Sequence, residues 1–242
     1  MFGNRTLIRK GTKDESEKPF WISYADLMTS LMVLFLVAMS VALLAVTKHI
    51  DELQEREKER RQEIRGCLRQ IEEIANEFPG MRLDLNRYTI DFGPQAQFER
   101  DKFSVSETTA LRLRSFVRKL LNVTRLPCGE KWLKRVVVEG YTDPTGTYLH
   151  NVNLSLNRSH RVLCVLLGEI DANQMALSSQ EHGEVQKLFL LGGYSSTSVR
   201  STYEESRRIE FKLEFLALDE MREVPVLEQF GNLGKCELKS FG

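Results

Sequence analysis

The sequence has no excess of either charge, because its 34 Lys and Arg residues balance 34 Asp and Glu residues. It therefore lacks the basic character that is typical of nucleic-acid-binding proteins. Its four histidines have no zinc-binding or catalytic spacing, and its four cysteines form no Cys-x-x-Cys motif. It also contains no glycine-rich nucleotide loop and no paired nucleophile and base. These absences predict a protein that is not an enzyme and that holds no metal or cofactor.

Charge is also absent locally, since none of the 21 residues from Leu27 to Thr47 is charged. A helix needs about 20 apolar residues to cross the hydrocarbon of a bilayer. A cleaved signal peptide would have an apolar core of roughly 7–15 residues and a small-residue cleavage site behind it. Here Lys48 and Asp51 follow the run directly. The pattern predicts a retained transmembrane helix over residues 19–47, in contact with membrane lipid.

The charges on the two sides of this run do not settle its orientation. Five basic residues precede the span, and six follow it within residues 48–65, so the positive-inside rule favours neither direction. A short N-terminal arm, residues 1–18, before a large C-terminal domain favours a cytoplasmic N-terminus. We therefore expect a single-pass membrane protein whose C-terminal domain lies on the side of the membrane away from the cytoplasm.

The only charged residue between Lys18 and Lys48 is Asp26. An aspartate at the middle of a bilayer costs about 2.5–3.5 kcal/mol and rarely faces lipid. Steps of three and four residues place Asp26 on one helix stripe with the three serines of the span, Ser23, Ser30 and Ser40. Such a stripe favours a protein partner or a hydrated path, where a carboxyl group can gain and lose a proton. An ion-carrying site and an interfacial or packing aspartate both remain open from the residues alone.

The segment PFWISYADLMTSLMVLFLV, with its core at residues 24–29, resembles the transmembrane helix of MotB-type stator subunits. In that family the aspartate takes up a proton, or in some members sodium, so the resemblance implies that Asp26 is the ion-binding carboxylate. It also implies a homodimer inside a ring of multi-span partner subunits, with five ring subunits for two copies of this chain. These partners would be MotA-like, or ZorA-like if the chain belongs to a Zorya defence system. No cofactor other than the translocated ion is implied.

Residues 48–80 are rich in charge and have no proline before Pro79, which predicts a charged helical linker. The linker has a seam of three-four spacing with two charged members, so a weak coiled coil and a solvated helix both remain open. The seam is out of phase with the membrane stripe, which predicts a helix break near residues 48–50. Its position on the seam makes Cys67 a candidate for a disulfide between two chains. The seam comprises Ile50, Leu53, Glu57, Arg60, Ile64, Cys67, Ile71 and Ile74.

Residues 81–216 have the pattern of a compact domain in which strands and helices alternate. Apolar alternation predicts strands within 81–92, as one strand or a pair, and at 134–140, 185–193 and 207–216. Apolar periodicity predicts a helix after a capping box at residues 104–107 and a second helix over 153–167, with Cys164 as a core thiol. We therefore predict an α+β sandwich of about four strands with helices on one face, followed by a loop-like or partner-contacting tail, 217–242.

Asp143 and Arg158 are the most informative polar residues of this domain. Asp143 lies in a Pro- and Gly-containing loop after a predicted strand, and Arg158 lies on the helix that follows. The two side chains could form a structural salt bridge. Alternatively, they could bind the ammonium and the carboxylate of one zwitterionic ligand, because a guanidinium matches a carboxylate with two hydrogen bonds.

Three motifs resemble those of the OmpA-like peptidoglycan-binding domain: Gly140-Tyr141-Thr142-Asp143, Asn151-Val-Asn-Leu154-Ser155-Leu-Asn-Arg158 and Arg207-Arg208-Ile209-Glu210. The resemblance implies that Asp143 and Arg158 hold the diaminopimelate of the peptidoglycan stem peptide. It further implies that five other residues contribute to the groove: Thr142, His150, Asn151, Leu154 and Arg208. Tyr141 replaces the commoner histidine and Ser159 the commoner alanine of that family.

The residues around Asp26 also resemble ZorB-type subunits of the Zorya anti-phage defence system. Together the resemblances imply an ion-driven inner-membrane motor subunit that carries the ion-binding aspartate and is anchored to peptidoglycan. The predicted linker of 33 residues, 48–80, is shorter than is usual for flagellar MotB. A flagellar stator subunit and a passive tether between the inner membrane and the cell wall remain the alternatives.

Overall fold

A computed structural model describes residues 18–168, 176–222, 233, 234 and 236. The chain divides into two compact units, with the boundary between Glu57 and Lys58. Most of the predicted N-terminal arm and most of the predicted C-terminal tail lie outside the described residues.

The first unit contains the beginning of helix α1, whose full extent is Lys18–Asn76. Residues 21–56 of this helix are exposed in the isolated chain. It is the one described helix that is long and apolar enough to cross a membrane. The break predicted near residues 48–50 is wrong, because α1 continues through them. The physical reason is that no proline or glycine occurs in residues 20–65 to interrupt the helical hydrogen bonds.

The second unit starts with the last part of α1, and its described residues continue through five strands and five more α-helices. In chain order these are β1 (Arg82–Asp84), β2 (Thr89–Asp91), α2 (Glu107–Thr124), α3 (Pro127–Trp132), β3 (Leu133–Gly140), α4 (Tyr148–Leu167), α5 (Ser179–Leu188), β4 (Phe189–Gly193), α6 (Tyr203–Ser206) and β5 (Ile209–Phe215).

The strands form one mixed sheet in the order β1-β2-β5-β3-β4. Strands β3 and β4 are parallel, and the other neighbours are antiparallel. The predicted α+β class is confirmed. About four strands were predicted, with residues 81–92 as either one strand or a pair. They form the pair β1 and β2, so the sheet has five strands.

The core lies between the sheet and its helices and is built around phenylalanine rings. Phe211 of β5 packs edge to face against Phe92, with ring centroids 4.6 Å apart, and Phe116 of α2 lies 5.4 Å from Phe92. Alternation along β5 places Ile209 and Leu213 on the same side as Phe211, and both are almost fully buried. The opposite side of β5 carries the charged residues Glu210, Lys212 and Glu214.

The end of α1 belongs to this core, although it lies within the predicted linker. Ile64, Leu68 and Ile71 are at most 3% exposed and pack in the same cluster as the sheet residues. Cys67 forms a disulfide with Cys128 of α3 in the same chain. The predicted link between two chains is therefore not what the structure has, because the seam faces the chain's own domain.

Element bounds and the state of one cysteine also differ from the predictions. Helix α2 is capped by Ser106 and not by Ser104, since Ser106 accepts a hydrogen bond from the Thr109 amide. Residues 185–188 end helix α5, because a capping box of Ser178 and Glu181 starts a helix there, and only 189–193 form the strand. Cys164 is not a free core thiol, since it is bonded to Cys236.

Candidate functional site

Asp143 is placed by the loop that connects β3 with α4. Helix α4 crosses the end of β3 so closely that a Cβ atom on Gly140 would overlap the carbonyl oxygen of Ser155. The amide of Thr142 then donates to the carbonyl of Ser195, 3.0 Å away, which fixes the start of the loop. Gly146 completes the turn with φ +95°, a conformation that favours glycine.

The carboxylate of Asp143 is buried and accepts three hydrogen bonds. Its Oδ1 atom accepts from the Thr145 amide, 3.0 Å away, and from the Thr145 hydroxyl. Its Oδ2 atom accepts from Nη1 of Arg207 at 2.9 Å. Burial by itself raises the pKa of Asp143, but the hydrogen bonds from Thr145 and Arg207 outweigh it and hold the pKa below its ordinary value. Asp143 is therefore ionised at neutral pH.

Arg158 of α4 is fully buried, and its guanidinium donates to three backbone carbonyls. Nη1 donates to Tyr141 at 2.7 Å, Nε to Lys102 at 3.0 Å and Nη2 to Glu99 at 3.2 Å. Burial lowers the pKa of Arg158 to about 10, and the charge of Asp143 opposes this shift. The side chain therefore stays cationic at neutral pH and holds the 99–102 loop beside Asp143.

Asp143 and Arg158 are close enough for their charges to interact, but the direct ion pair of Asp143 is with Arg207. Arg207 also donates from Nε to the carbonyl of Phe98 at 2.9 Å and from Nη2 to Glu204 at 3.1 Å. One guanidinium thus joins the Asp143 loop, the 98–102 loop and helix α6. Two arginines and one aspartate form the centre of this candidate site, hereafter the Asp143 cleft.

The other predicted residues take different places around this centre. Asn151 is buried and donates to the carbonyl of Thr145 at 3.0 Å, which holds the loop closed on α4. His150 lies at the rim, where its Nε2 atom is 3.1 Å from Asp101. Thr142 is buried, and its hydroxyl has no hydrogen-bond partner among the described residues.

Two predicted residues are not part of the centre. Leu154 is 2% exposed and serves packing. Arg208 donates from Nε to Glu210 at 2.7 Å, and its guanidinium lies over the ring of Tyr141 at 4.2 Å. Both contacts lie on the other side of the sheet, because Arg208 and Glu210 are two residues apart along the chain as it enters β5.

Sequence reasoning missed Arg207 as a site residue, although it is part of the quoted Arg-Arg-Ile-Glu motif. The available signal was strand alternation: if Arg208 shares a face with Glu210, then Arg207 must point the opposite way. The contributions of Phe98, Glu99 and Lys102 had no such signal, because their roles come from carbonyl groups that any residue carries.

The predicted ion-binding residue, Asp26, is exposed on the apolar part of α1. Three hydroxyls in this part of the helix donate to carbonyls of the same helix, from Thr29 to Asp26, from Ser40 to Leu36 and from Thr47 to Leu44. These bonds within the helix satisfy the hydroxyl donors without a second protein or water, as an apolar surrounding requires. No donor to the Asp26 carboxylate lies within the described residues of this chain.

The Zorya protein ZorB of Escherichia coli O139:H28 (strain E24377A / ETEC) is 39% identical to this chain over 224 residues, which are 92% of this chain and 91% of that protein. The chain belongs to the ZorB family.

Two other kinds of similarity accompany this family membership. The family model described as membrane MotB of the proton-channel complex MotA/MotB matches residues 8–49 of this ZorB-family chain, a segment that contains Asp26. Among solved structures, the periplasmic domain of a MotB has a TM-score of 0.42 at 18% identity and covers 60% of this chain and 74% of that one. The cell wall anchor of the type VI secretion system from Pseudomonas aeruginosa has a TM-score of 0.38 at 17% identity and covers 60% and 94% of the two chains. None of these proteins is named as an enzyme.

Proposed function

We propose that this ZorB-family chain is the wall-anchored, ion-carrying subunit of an anti-phage membrane motor. The observation that carries the proposal is the presence in one chain of an apolar helix with a single internal aspartate and of a cleft with a buried, ionised aspartate between two arginines. A passive tether would need the cleft and the helix but not Asp26. Family membership favours a Zorya system over a flagellar stator.

In the proposed cleft, the ligand is the zwitterionic end of the diaminopimelate side chain of peptidoglycan. A carboxylate has about four acceptor positions, and three of those on Asp143 are occupied, which leaves one for the ligand ammonium. Arg158 donates three of its five N–H groups to backbone carbonyls, which leaves two for the ligand carboxylate. Because the side chain is fully buried, the ligand reaches these two groups only when the 99–102 loop moves aside.

In the proposed membrane segment, Asp26 binds a proton, or a sodium ion, that crosses the inner membrane. Two copies of α1 would lie inside a ring of multi-span partner subunits, with the N-terminus in the cytoplasm and residues 58–242 in the periplasm. A carboxyl group at this depth changes its protonation when it passes between a hydrated path and an apolar surface, since desolvation favours the neutral form. The match of residues 8–49 to the MotB family model supports this role.

The first experiment changes Asp26 to Asn in a strain that carries the gene with its native neighbours. Asn has nearly the same shape but cannot take up a proton at physiological pH, so we expect protection against phage to be lost. Phage plating should return to the level on cells without the gene. The variant should still reach the inner membrane and still co-sediment with isolated cell-wall sacculi.

The matched control is Asp51→Asn, which removes an exposed aspartate of α1 beyond the apolar run. This variant should protect as the wild type does. Full protection by Asp26→Asn would contradict the motor proposal and leave the chain as a tether.

A further inference from the structure

The side of the sheet that faces away from α4 contains a buried carboxylate that has no cationic partner among the described residues. Glu139 of β3 lies directly opposite Glu210 of β5, and the two residues are 2% and 0% exposed. Two carboxylates in this position repel each other unless cations compensate them. The arginines that approach the pair bind only one of its two members.

Glu210 takes these arginines. It accepts hydrogen bonds from Arg208 at 2.7 Å, from Arg200 at 2.7 Å and from Arg87 at 3.4 Å. Within the part of the chain that the structure describes, no arginine or lysine forms an ion pair with Glu139. A buried carboxylate without a cation is costly, so the position calls for a compensating positive charge.

The hydrogen bond that Glu139 does accept comes from a neutral group, the hydroxyl of Tyr141, at 2.8 Å. Tyr194 lines the same cavity as Glu139. Burial and the nearby carboxylate of Glu139 raise the pKa of both tyrosines, so both hydroxyls keep their protons at neutral pH. The two rings stack with centroids 5.5 Å apart, which places aromatic surface beside the carboxylate.

Glu139 lies in the wall of an open cavity of about 360 Å³. This volume is at the small end of the range of about 300–1,000 Å³ that ligand pockets occupy. Lys212 of β5 lines the same cavity, together with Thr197 and Ser198. The ammonium of Lys212 makes no ion pair with any described residue. The cavity therefore presents the carboxyl group of Glu139 and the amino group of Lys212, and neither forms an ion pair within the described residues.

We propose that this cavity is a second binding site, for a small zwitterion of the amino-acid class. The ligand ammonium lies on Glu139 beside the two tyrosine rings, where a charge-assisted hydrogen bond and the aromatic faces both favour a cation. The ligand carboxylate lies on Lys212 and accepts a hydrogen bond from the hydroxyl of Ser198. The hydroxyl of Thr197 donates to the carbonyl of Tyr194 at 2.6 Å, so it can only accept from the ligand. The site is separate from the Asp143 cleft, because Glu139 points to the sheet face opposite the one that Gly140 presents to α4.

The test measures the number of diaminopimelate molecules bound per full-length chain in detergent by isothermal titration calorimetry. We expect two for the wild type, one for Glu139→Gln and one for Lys212→Met. Glu139→Gln keeps the shape and the acceptor for the Tyr141 hydroxyl, while Lys212→Met removes a charge that has no partner in the described fold. Thermal unfolding of each variant checks that it is folded. If Glu139→Gln does not fold, the result for Lys212→Met alone tests the proposal.

The matched control is Glu214→Gln, a carboxylate of the same face that pairs with Arg135 outside the cavity, and it should leave two sites. The Asp143→Asn variant separates this proposal from the proposed wall-binding function. If Asp143→Asn retains one site, and the addition of Glu139→Gln removes that site, then the cavity binds ligand, whether or not Asp143 does. A stoichiometry that neither Glu139→Gln nor Lys212→Met changes overturns it.

Discussion

At the scale of single residues, the charge of Asp143 depends on Arg207, which bonds to it at 2.9 Å. Burial acts to raise the pKa of Asp143, and Arg207 and Thr145 together hold the pKa below its ordinary value. Removal of Arg207 leaves the burial effect opposed by Thr145 alone, so the pKa of Asp143 rises. In Arg207→Gln, diaminopimelate binding should therefore fail at a higher pH than in the wild type, as the carboxylate protonates. Binding of diaminopimelate between pH 4 and pH 8 measures this shift.

The control for Arg207 is Glu204→Gln, which removes its exposed partner and leaves the pair with Asp143 intact. This variant should have the pH profile of the wild type. Identical acid limbs for Arg207→Gln and the wild type would contradict the dependence of Asp143 on Arg207. Sequence reasoning selected Asp143 and Arg158 from their motif but not Arg207. Strand alternation places the two adjacent arginines on opposite faces, but it does not say which of those faces carries the Asp143 loop.

At the scale of elements, the C-terminal part of α1 is an integral element of the second unit. Its apolar face is buried, Arg60 donates to the carbonyl of Leu216 at 2.8 Å, and Glu63 bonds to Lys131 and Trp132. The disulfide of Cys67 with Cys128 closes a loop of 61 residues across this contact. Replacement of both cysteines by serine should lower the free energy of unfolding of the domain by about 2–4 kcal/mol. Thermal unfolding under non-reducing conditions measures the loss.

The same variant should also expose residues 58–76 to protease, since the disulfide holds this helix against the domain. Limited trypsin digestion should cleave it after the arginines of residues 60–69, and the wild type should resist. Replacement of Cys164 and Cys236 removes a loop of 72 residues elsewhere and should leave this stretch protected. Equal cleavage in both variants would contradict a local role for the Cys67 disulfide.

The elements show which kinds of information the sequence carries. The spacing of Ile64, Cys67 and Ile71 correctly predicted one apolar helix face, because that face follows from helical geometry alone. The surface that covers it could not be predicted, since a seam that packs on its own domain has the same spacing as one that packs on a second chain. Residues 185–188 have apolar residues typical of a strand, and only the capping box 178–181 signals the helix that includes them.

At the scale of the whole molecule, the proposal assigns two separable activities to two units of one chain. Asp143→Asn keeps the size of the side chain but removes the charge that would hold the ligand ammonium. The full-length variant should therefore lose co-sedimentation with sacculi, by about tenfold or more, while it remains in the membrane fraction. It should also fail to protect against phage, because a motor without a fixed point does no work on its surroundings. Asp26→Asn should give the same phage phenotype with normal sacculus binding. If both variants lose protection while only Asp26→Asn still binds sacculi, protection requires both units. If Asp143→Asn still protects although it no longer binds sacculi, wall attachment is dispensable and the proposal is contradicted at this point.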